Sequence, residues 1–381
     1  MKSTAQYQDA IASFLGIDSS RVFLYWKGRV ALYAVLKAMR IGPGDEVILP
    51  AFTCVVVPNA ILYLGAKPVY VDINPSTLCS HAAQIEAAIT PSTKAILIQN
   101  MLGLSVEVPA IVAMAKAKQI YTIEDCTHGF GGSHQEVYYG LHSDAAFYSS
   151  QWNKPFSTGI GGMLVVNKLD LLPEIELVNA ALITPSAKER FLLRILLFAK
   201  TYLLKGPTYW HLLKGYRWLS KKGWVVGSSS NQEMVGTDMP PDYFKAMSKV
   251  QCQRGRQALQ YLKEVMQKRK EHARSVHRWL QQNNKQRVPE EYFEHHAFLK
   301  YPLLVHDRKK FLLKAEKHHI PMGDWFVSPL HPVLDSLEPW GLVLEHFPNA
   351  LNVSSCIVNL PLDLPVARLI NFLELYPQEI K

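Results

Sequence analysis

The first 166 residues repeat a pattern of apolar positions at helical spacing followed by a short continuous apolar run. "GRVALYAVLKAMRI" has helical spacing and stops at "GPGD". "EVILP" follows as a buried strand. "PNAILYLGA" is helical and "PVYVDI" a strand; "AAQIEAAIT" is a helix and "KAILIQN" a strand. "EVPAIVAMAKAKQ" is a helix, and "IYTIED", "AAFYSS" and "GGMLVVN" are strands. Strands that alternate with helices predict βαβ units and a mostly parallel sheet covered by helices on both faces. Such sheets bind ligands at the carboxyl ends of their strands. Asp125, which ends "IYTIED", and Lys154, which follows "AAFYSS", both fall near such ends.

The pattern breaks over 168–235. "SAKE" predicts a capping box, Ser186 with Glu189, which opens the apolar and basic run "RFLLRILLFAKTYLLK". "TYWHLLKGYRWLSKKGW" adds aromatics and cations. From about Tyr243 a helix is predicted, with "QALQYLKEVMQKRKEHARSVHRWLQQ" as one long amphipathic helix. Strands "AFLKYPLLV" and "CIVNLP" then mix with helices "RKKFLLKAEKHH" and "VARLINFLELY". This predicts a large α/β domain over 1–235 and a smaller α+β domain over 236–381.

Composition changes the picture little, and charge changes it at one place. The 381 residues are 48% hydrophobic, as in a globular chain with a sizeable core. "MKSTAQYQDAIASF" does not look like a secretory leader, and no apolar run is long enough to span a bilayer. The five cysteines contain no CxxC pair and are expected to be reduced thiols in a cytoplasmic protein, with no zinc site. The net charge is +9, and between Lys188 and Lys222 nine Lys/Arg stand against the single acid Glu189. Three readings of 186–224 follow: packing at a dimer interface or over the site, recognition of an anionic substrate, or peripheral contact with an anionic membrane. No motif supports nucleic-acid binding.

The stretch "SSQWNKPFSTGIGG" sets Lys154 between an aromatic-polar run and a glycine cluster. A desolvated lysine is a nucleophile toward carbonyls, including pyridoxal phosphate. That cofactor also needs a carboxylate for its ring nitrogen, N–H groups, hydroxyls or a helix N-terminus for its phosphate, and a flat neighbour for its ring. Asp125, Gly28 with Arg29, Ser149 and His128 can supply these. Each also has a plainer reading: a loop cap, an ordinary satisfied histidine, a strand end. The glycines of "GIGG" are expected to let the backbone turn tightly.

Taken in order, "GRVAL", "IGPGDEVILPAFT", "GAKPVYVDI", "AAITPSTKAILIQN", "IEDCTHG", "SDAAFYSSQWNKPFSTGIGG", "SPLHPV" and "FPNALNVSSCIVNLP" resemble the DegT/DnrJ/EryC1/StrS aminotransferases. The resemblance covers roughly residues 15–165 and 240–375. It implies fold-type I, pyridoxal 5'-phosphate, a homodimer, and transfer of an amino group from an amino acid such as glutamate to a keto-sugar, mostly nucleotide-linked. Lys154 would form the Schiff base, Asp125 would pair with the pyridine nitrogen, and His128 would lie against the ring. Gly28, Arg29 and Ser149 fall where the family holds the phosphate. Four departures stand out. Arg29 replaces a Thr or Ser, Cys54 replaces an aromatic for which Phe52 can serve, Ile160 replaces an acid, and "GTDMP" does not supply the family's cross-subunit Asn. Lys154 excludes the dehydratase branch, which has histidine there. The alternatives are an aminotransferase for a lipid-linked or membrane-associated substrate, and a non-catalytic cofactor-binding regulator of the same fold.

Overall fold

The computed structural model describes residues 2–203, 215 and 231–381. Seven strands form the central sheet: β1 (Val22–Tyr25), β2 (Glu46–Pro50), β4 (Lys67–Val71), β5 (Thr93–Gln99), β6 (Tyr121–Asp125), β7 (Ala145–Ser149) and β8 (Gly162–Val166), with the two-residue β3 (Thr53–Cys54) outside it. Their order is β1-β8-β7-β6-β5-β2-β4. The pairings from β4 through β7 are parallel, while β8 lies antiparallel to both β7 and β1. The sheet is thus mostly parallel with an antiparallel edge.

The period-two alternation of strands explains why the central sheet lacks a polar face. On β5, Ala95 and Leu97 enter one buried cluster, and Ile96 and Ile98 enter another on the opposite face. On β7, Ala145 and Phe147 share the first cluster, whereas Ala146 and Tyr148 face a third. The expected helices cover these faces: α2 (Gly28–Ala38), α3 (Val56–Leu62), α4 (Ala82–Ala87) and α5 (Val108–Ala117). Two elements have no counterpart in the expectations, the amphipathic α1 (Lys2–Leu15) and the four-residue β1. Tyr7, Ile11 and Leu15 of α1 are buried with Cys252 and Leu259.

The segment after β8 forms α6 (Leu172–Asn179) and α7 (Ala187–Phe198), and a π-type turn runs on through Leu203. The Ser186 capping box is present: the Glu189 N–H donates to Ser186 Oγ at 3.2 Å and the Ser186 N–H to Glu189 Oε2 at 2.8 Å. The short α8 is Asn231–Val235. Trp210, Trp218 and Trp224, with Lys205, Lys214 and Arg217, lie outside the described residues.

The single long helix expected from Tyr243 is two helices with a later start. α9 (Lys249–Gln260) begins after the Ser248 cap, and α10 (Leu262–Gln282) follows a break at Tyr261, where φ is −102° and ψ 0°. Before Ser248 the chain is tied to β1, with Trp26 N–H donating to the Lys245 carbonyl at 2.9 Å. α9 serves one core, and α10, after the break, runs from that core into a second. Cys252, Leu259 and Leu262 join the α1 cluster, whereas Ala273, Val276 and Leu280 join a second core with Phe298, Tyr301, Phe311 and Phe372. That core holds α11 (Arg308–Lys317), α13 (Val366–Leu375) and the antiparallel pair β9 (Tyr301–Leu304) with β11 (Ile357–Leu360). The chain also returns to the sheet: β10 (Leu330–His331) pairs in parallel with β3, and α12 (Pro348–Cys356) packs its Ala350 and Val353 into the first core.

Candidate active site

Lys154 sits in the loop between β7 and β8, at the carboxyl end of the parallel strands. The loop is held by its own polar groups. Ser150 N–H donates to the Gly161 carbonyl at 3.0 Å, and the Ser150 and Thr158 hydroxyls are 2.7 Å apart. Two distant side chains fasten it: Gln251 Nε2 donates to the Ile160 carbonyl at 2.7 Å, and Arg269 of α10 donates to the Pro155 carbonyl at 3.1 Å. The glycines serve two purposes rather than the one expected. Gly159 has φ +88°, a conformation that favours glycine. Gly161 and Gly162 are close-approach positions: a Cβ on Gly161 would overlap Ser150 Oγ, and one on Gly162 would overlap the Lys27 carbonyl.

Burial pushes the Lys154 ammonium down to about 8, against the opposing pull of Asp125. Asp125 ends β6, in register with Gln99 of β5, and is fully enclosed. Its Oδ1 accepts from the Thr127 N–H at 3.0 Å. Burial raises its pKa, countered by that hydrogen bond and by the Lys154 charge. Among the described residues no cation lies within ion-pair distance of it. A buried carboxylate in this state fits a cationic ring nitrogen.

His128 is buried, and its Nδ1 accepts from the Leu102 N–H at 3.2 Å. Burial, with Lys154 and His331 adding to it, pushes its pKa well below the ordinary imidazole range. The ring is therefore neutral and carries its proton on Nε2. One face of it is covered by Trp325, whose ring lies parallel with centroids 5.1 Å apart. Lys154 Nζ stands 4.9 Å from the same indole. Phe52 does not reach this stack: it is wholly buried, with its ring 4.9 Å from Phe326, and Phe326 meets His128 edge-on at 6.2 Å.

The N-terminus of α2 meets β7 closely. A Cβ on Gly28 would stand 3.1 Å from Ser149 Cβ and from the Tyr148 carbonyl, so Gly28 and Ser149 form one cradle. Arg29 is buried there, but its charge is compensated: the guanidinium pairs with Glu233 of α8. Lys27 Nζ is 3.9 Å from the same carboxylate, and burial lowers the Lys27 ammonium to about 8. Glu233 thus offsets part of the positive charge that Arg29 and Lys27 bring beside the cradle.

A model of the DegT/DnrJ/EryC1/StrS aminotransferase family matches residues 2–198 and 211–367. The chain belongs to this family. It is 34% identical over 186 residues to the GDP-perosamine synthase of Caulobacter vibrioides, covering 49% of this chain and 50% of that protein. The chain thus spans about half the length of that relative. It is 27% identical over 369 residues to the spore coat polysaccharide biosynthesis protein SpsC of Bacillus subtilis, covering 94% of this chain and 84% of that protein. Among solved structures, NtdA of Bacillus subtilis with the bound cofactor PMP superposes with a TM-score of 0.71 at 21% identity, over 99% of this chain and 77% of that one. The fold is that of these fold-type I enzymes.

Sequence reasoning left several of the surrounding residues unassigned. Trp325 comes from the segment before β10, and His331 from "SPLHPV", which was quoted for the resemblance without a role. Burial pushes His331 down to about 4. Asn100 follows β5, and its N–H donates to the Asp125 carbonyl at 2.9 Å. Both polar atoms of its side chain are buried and unpartnered, as is Thr53 Oγ1. An apolar strand ending in an amide is the signal that could have singled out Asn100. Among the described residues no helix is long and apolar enough to cross a membrane, and no group of three or more His, Cys, Asp or Glu is arranged to hold a metal.

Proposed function

We propose that the protein is a pyridoxal-phosphate-dependent aminotransferase that moves an amino group from an amino acid, glutamate by preference, to a keto-sugar carried on a nucleotide. The observation that carries this reading is a lysine lowered to about 8 beside a buried, unpaired aspartate at the carboxyl ends of a parallel sheet. Pyridoxal phosphate, when bound, supplies an electron sink for the bond changes at the amino-bearing carbon.

The chain's own residues supply the rest. Lys154 Nζ would hold the cofactor and, once displaced by the incoming amine, would as a free amine take the proton from the amino-bearing carbon and deliver it two atoms away, the 1,3-shift of transamination. Its lowered pKa keeps part of the amine neutral near pH 7. The Asp125 carboxylate holds the ring nitrogen in its charged form. The neutral, flat His128 ring covers one face and presents Nε2–H. The Gly28 and Ser149 cradle takes the phosphate, with Lys27 and Arg29 near it. The names of the relatives support a sugar as acceptor: one is a GDP-perosamine synthase and another a spore coat polysaccharide biosynthesis protein. A second copy of the chain completes the enzyme as a homodimer.

Borohydride treatment of the yellow holoenzyme should fix the cofactor on Lys154, read by peptide mass. Lys154→Ala should lose that label and at least ~10²-fold in rate, the low end for a removed proton-transfer group. A label on another lysine, or full activity in Lys154→Ala, would overturn the reading. Bleaching of the cofactor's absorbance by glutamate separates turnover from mere binding, and so separates the enzyme from a regulator of the same fold.

A further inference from the structure

α7 carries two unlike faces. Its inner face packs on the lysine loop: Leu193 is fully buried with Trp26 and Ile160, and Trp152 and Leu197 close around them. The acid that the family pattern leads one to expect at position 160 is thereby replaced by an isoleucine that seats this helix. The outer face is apolar and open. Phe191, Ile195, Phe198 and Tyr202 are 63, 47, 59 and 65% exposed. At spacings of four, three and four they form one stripe about 16 Å long. The Phe198 and Tyr202 rings, 4.9 Å apart, make its last part continuous.

The charges around the stripe identify its partner. At about 100° per residue, Lys188 and Arg194 project about 60° to either side of the stripe's axis. Both are exposed. The one acid of the helix, Glu189, is turned away and bonded to Lys245 at 2.6 Å. An apolar stripe edged on both sides by cations, with no anion on that face, is the pattern of a helix lying in an anionic lipid interface. Lys and Arg stems run along the apolar edge while their heads stay at the phosphates. A face meant for a second copy of this basic chain would set these cations against other cations.

We infer that α7 docks the protein on an anionic bilayer surface, with Phe191, Ile195, Phe198 and Tyr202 in the headgroup–acyl boundary and Lys188 and Arg194 at the lipid phosphates. The helix lies flat, since Arg194 interrupts the apolar run. Lys200 takes no part. Its Nζ donates to the Trp152 carbonyl at 2.6 Å and stands 5.0 Å from that indole, facing inward. Because the opposite face of α7 rests on Gly159 and Ile160, docking brings the Lys154 loop to the membrane.

The test is flotation of the full-length holoprotein with vesicles of phosphatidylcholine containing phosphatidylglycerol, and with phosphatidylcholine alone. Binding should require the anionic lipid and fall as salt is added. Lys188→Gln/Arg194→Gln should bind about 30-fold more weakly, ~2 kcal/mol at ~1 kcal/mol per basic residue near the surface. Phe191→Ser/Phe198→Ser should lose binding while the half-reaction with glutamate is unchanged, since neither residue touches the site. No flotation at low salt would overturn the inference. So would a change of mass in light scattering of the phenylalanine variant with vesicle binding intact, which would assign the stripe to a second copy. Neither outcome bears on the aminotransferase chemistry, which the glutamate half-reaction reads separately.

Discussion

The indole of Trp325 stacks on the imidazole of His128, their planes 3° from parallel, and the Lys154 ammonium stands against the same indole. Two effects of Trp325 on Lys154 oppose each other. The π face favours the ammonium, by roughly 0.5–2 kcal/mol. The bulk of the indole excludes water, which favours the neutral amine. Burial by the surround as a whole is the leading cause of the fall to about 8.

The uptake of cofactor by the apoprotein reports this balance. Only the neutral amine attacks a carbonyl, so the uptake rate should rise about tenfold per pH unit below 8 and level off above it. With a pKa of about 8, roughly one lysine in ten is neutral at pH 7, against fewer than about one in a thousand for an ordinary lysine. Trp325→Ala admits water, so the ammonium gains solvation and the inflection should move up by about one unit or more. Stopped-flow absorbance across pH 6–10 measures both proteins. An unchanged inflection would mean that Trp325 does not shield Lys154.

Asp125→Asn should shift the same profile the other way. Asp125 holds the Lys154 pKa up, so losing its charge lowers the inflection below that of the parent. The same change removes the charge that keeps the ring nitrogen protonated. The variant should therefore still take up cofactor, at lower pH, yet transaminate at least ~10²-fold more slowly. Normal turnover with a displaced inflection would show that Asp125 tunes the lysine without serving the ring.

The strand–helix alternation made six of the seven sheet strands legible, because each of those is a local apolar run with its own stop, whereas the four-residue β1 was not read. Asp125 and Lys154 could be singled out because they stand at or just after the ends of such runs, but the roles proposed for them and for His128 came from the family resemblance. Trp325 was not legible. It reaches the stack only because β10 pairs with β3, and pairing between segments this far apart leaves no local mark. The break at Tyr261 was hidden likewise, because the spacing of apolar residues runs on through it: Leu259 before it and Leu262 after it enter the same cluster. Gly162 looked like a turn residue, and what it accommodates, the Lys27 carbonyl, is again remote in sequence.

Gly162→Ala tests that close approach. The added methyl would overlap the Lys27 carbonyl and the Gly28 nitrogen, both backbone atoms that cannot swing aside. Overpacking of this kind costs typically ~1–3 kcal/mol. The displacement falls on the first turn of α2, so cofactor affinity should fall as well. Gly16→Ala is the control: its φ is +71° and its methyl would meet nothing, so it should cost stability without touching cofactor affinity. Equal cofactor affinity in Gly162→Ala and the parent would separate this strand contact from the phosphate cradle.

Glu233 faces two cations at once, pairing with the buried Arg29 and lying 3.9 Å from the half-buried Lys27. Its backbone is fixed too, with Asn59 Nδ2 donating to its carbonyl at 2.8 Å and Trp340 Nε1 donating to Asn59 Oδ1 at 2.6 Å. Breaking a buried pair by removing one partner leaves an uncompensated charge and typically costs ~3–5 kcal/mol. Glu233→Gln keeps the shape and should lose about that much in guanidinium unfolding of the apoprotein. Without the carboxylate the Lys27 ammonium should become easier to deprotonate, since Glu233 is one of the groups holding it up. The exposed positive field should then favour anions. Inorganic phosphate should restore more stability to Glu233→Gln than it adds to the parent, because it supplies the charge the variant lacks. If phosphate stabilises both proteins equally, the Arg29–Glu233 pair lies apart from the anion cradle, and Arg29 should be removed from the set of phosphate-side residues.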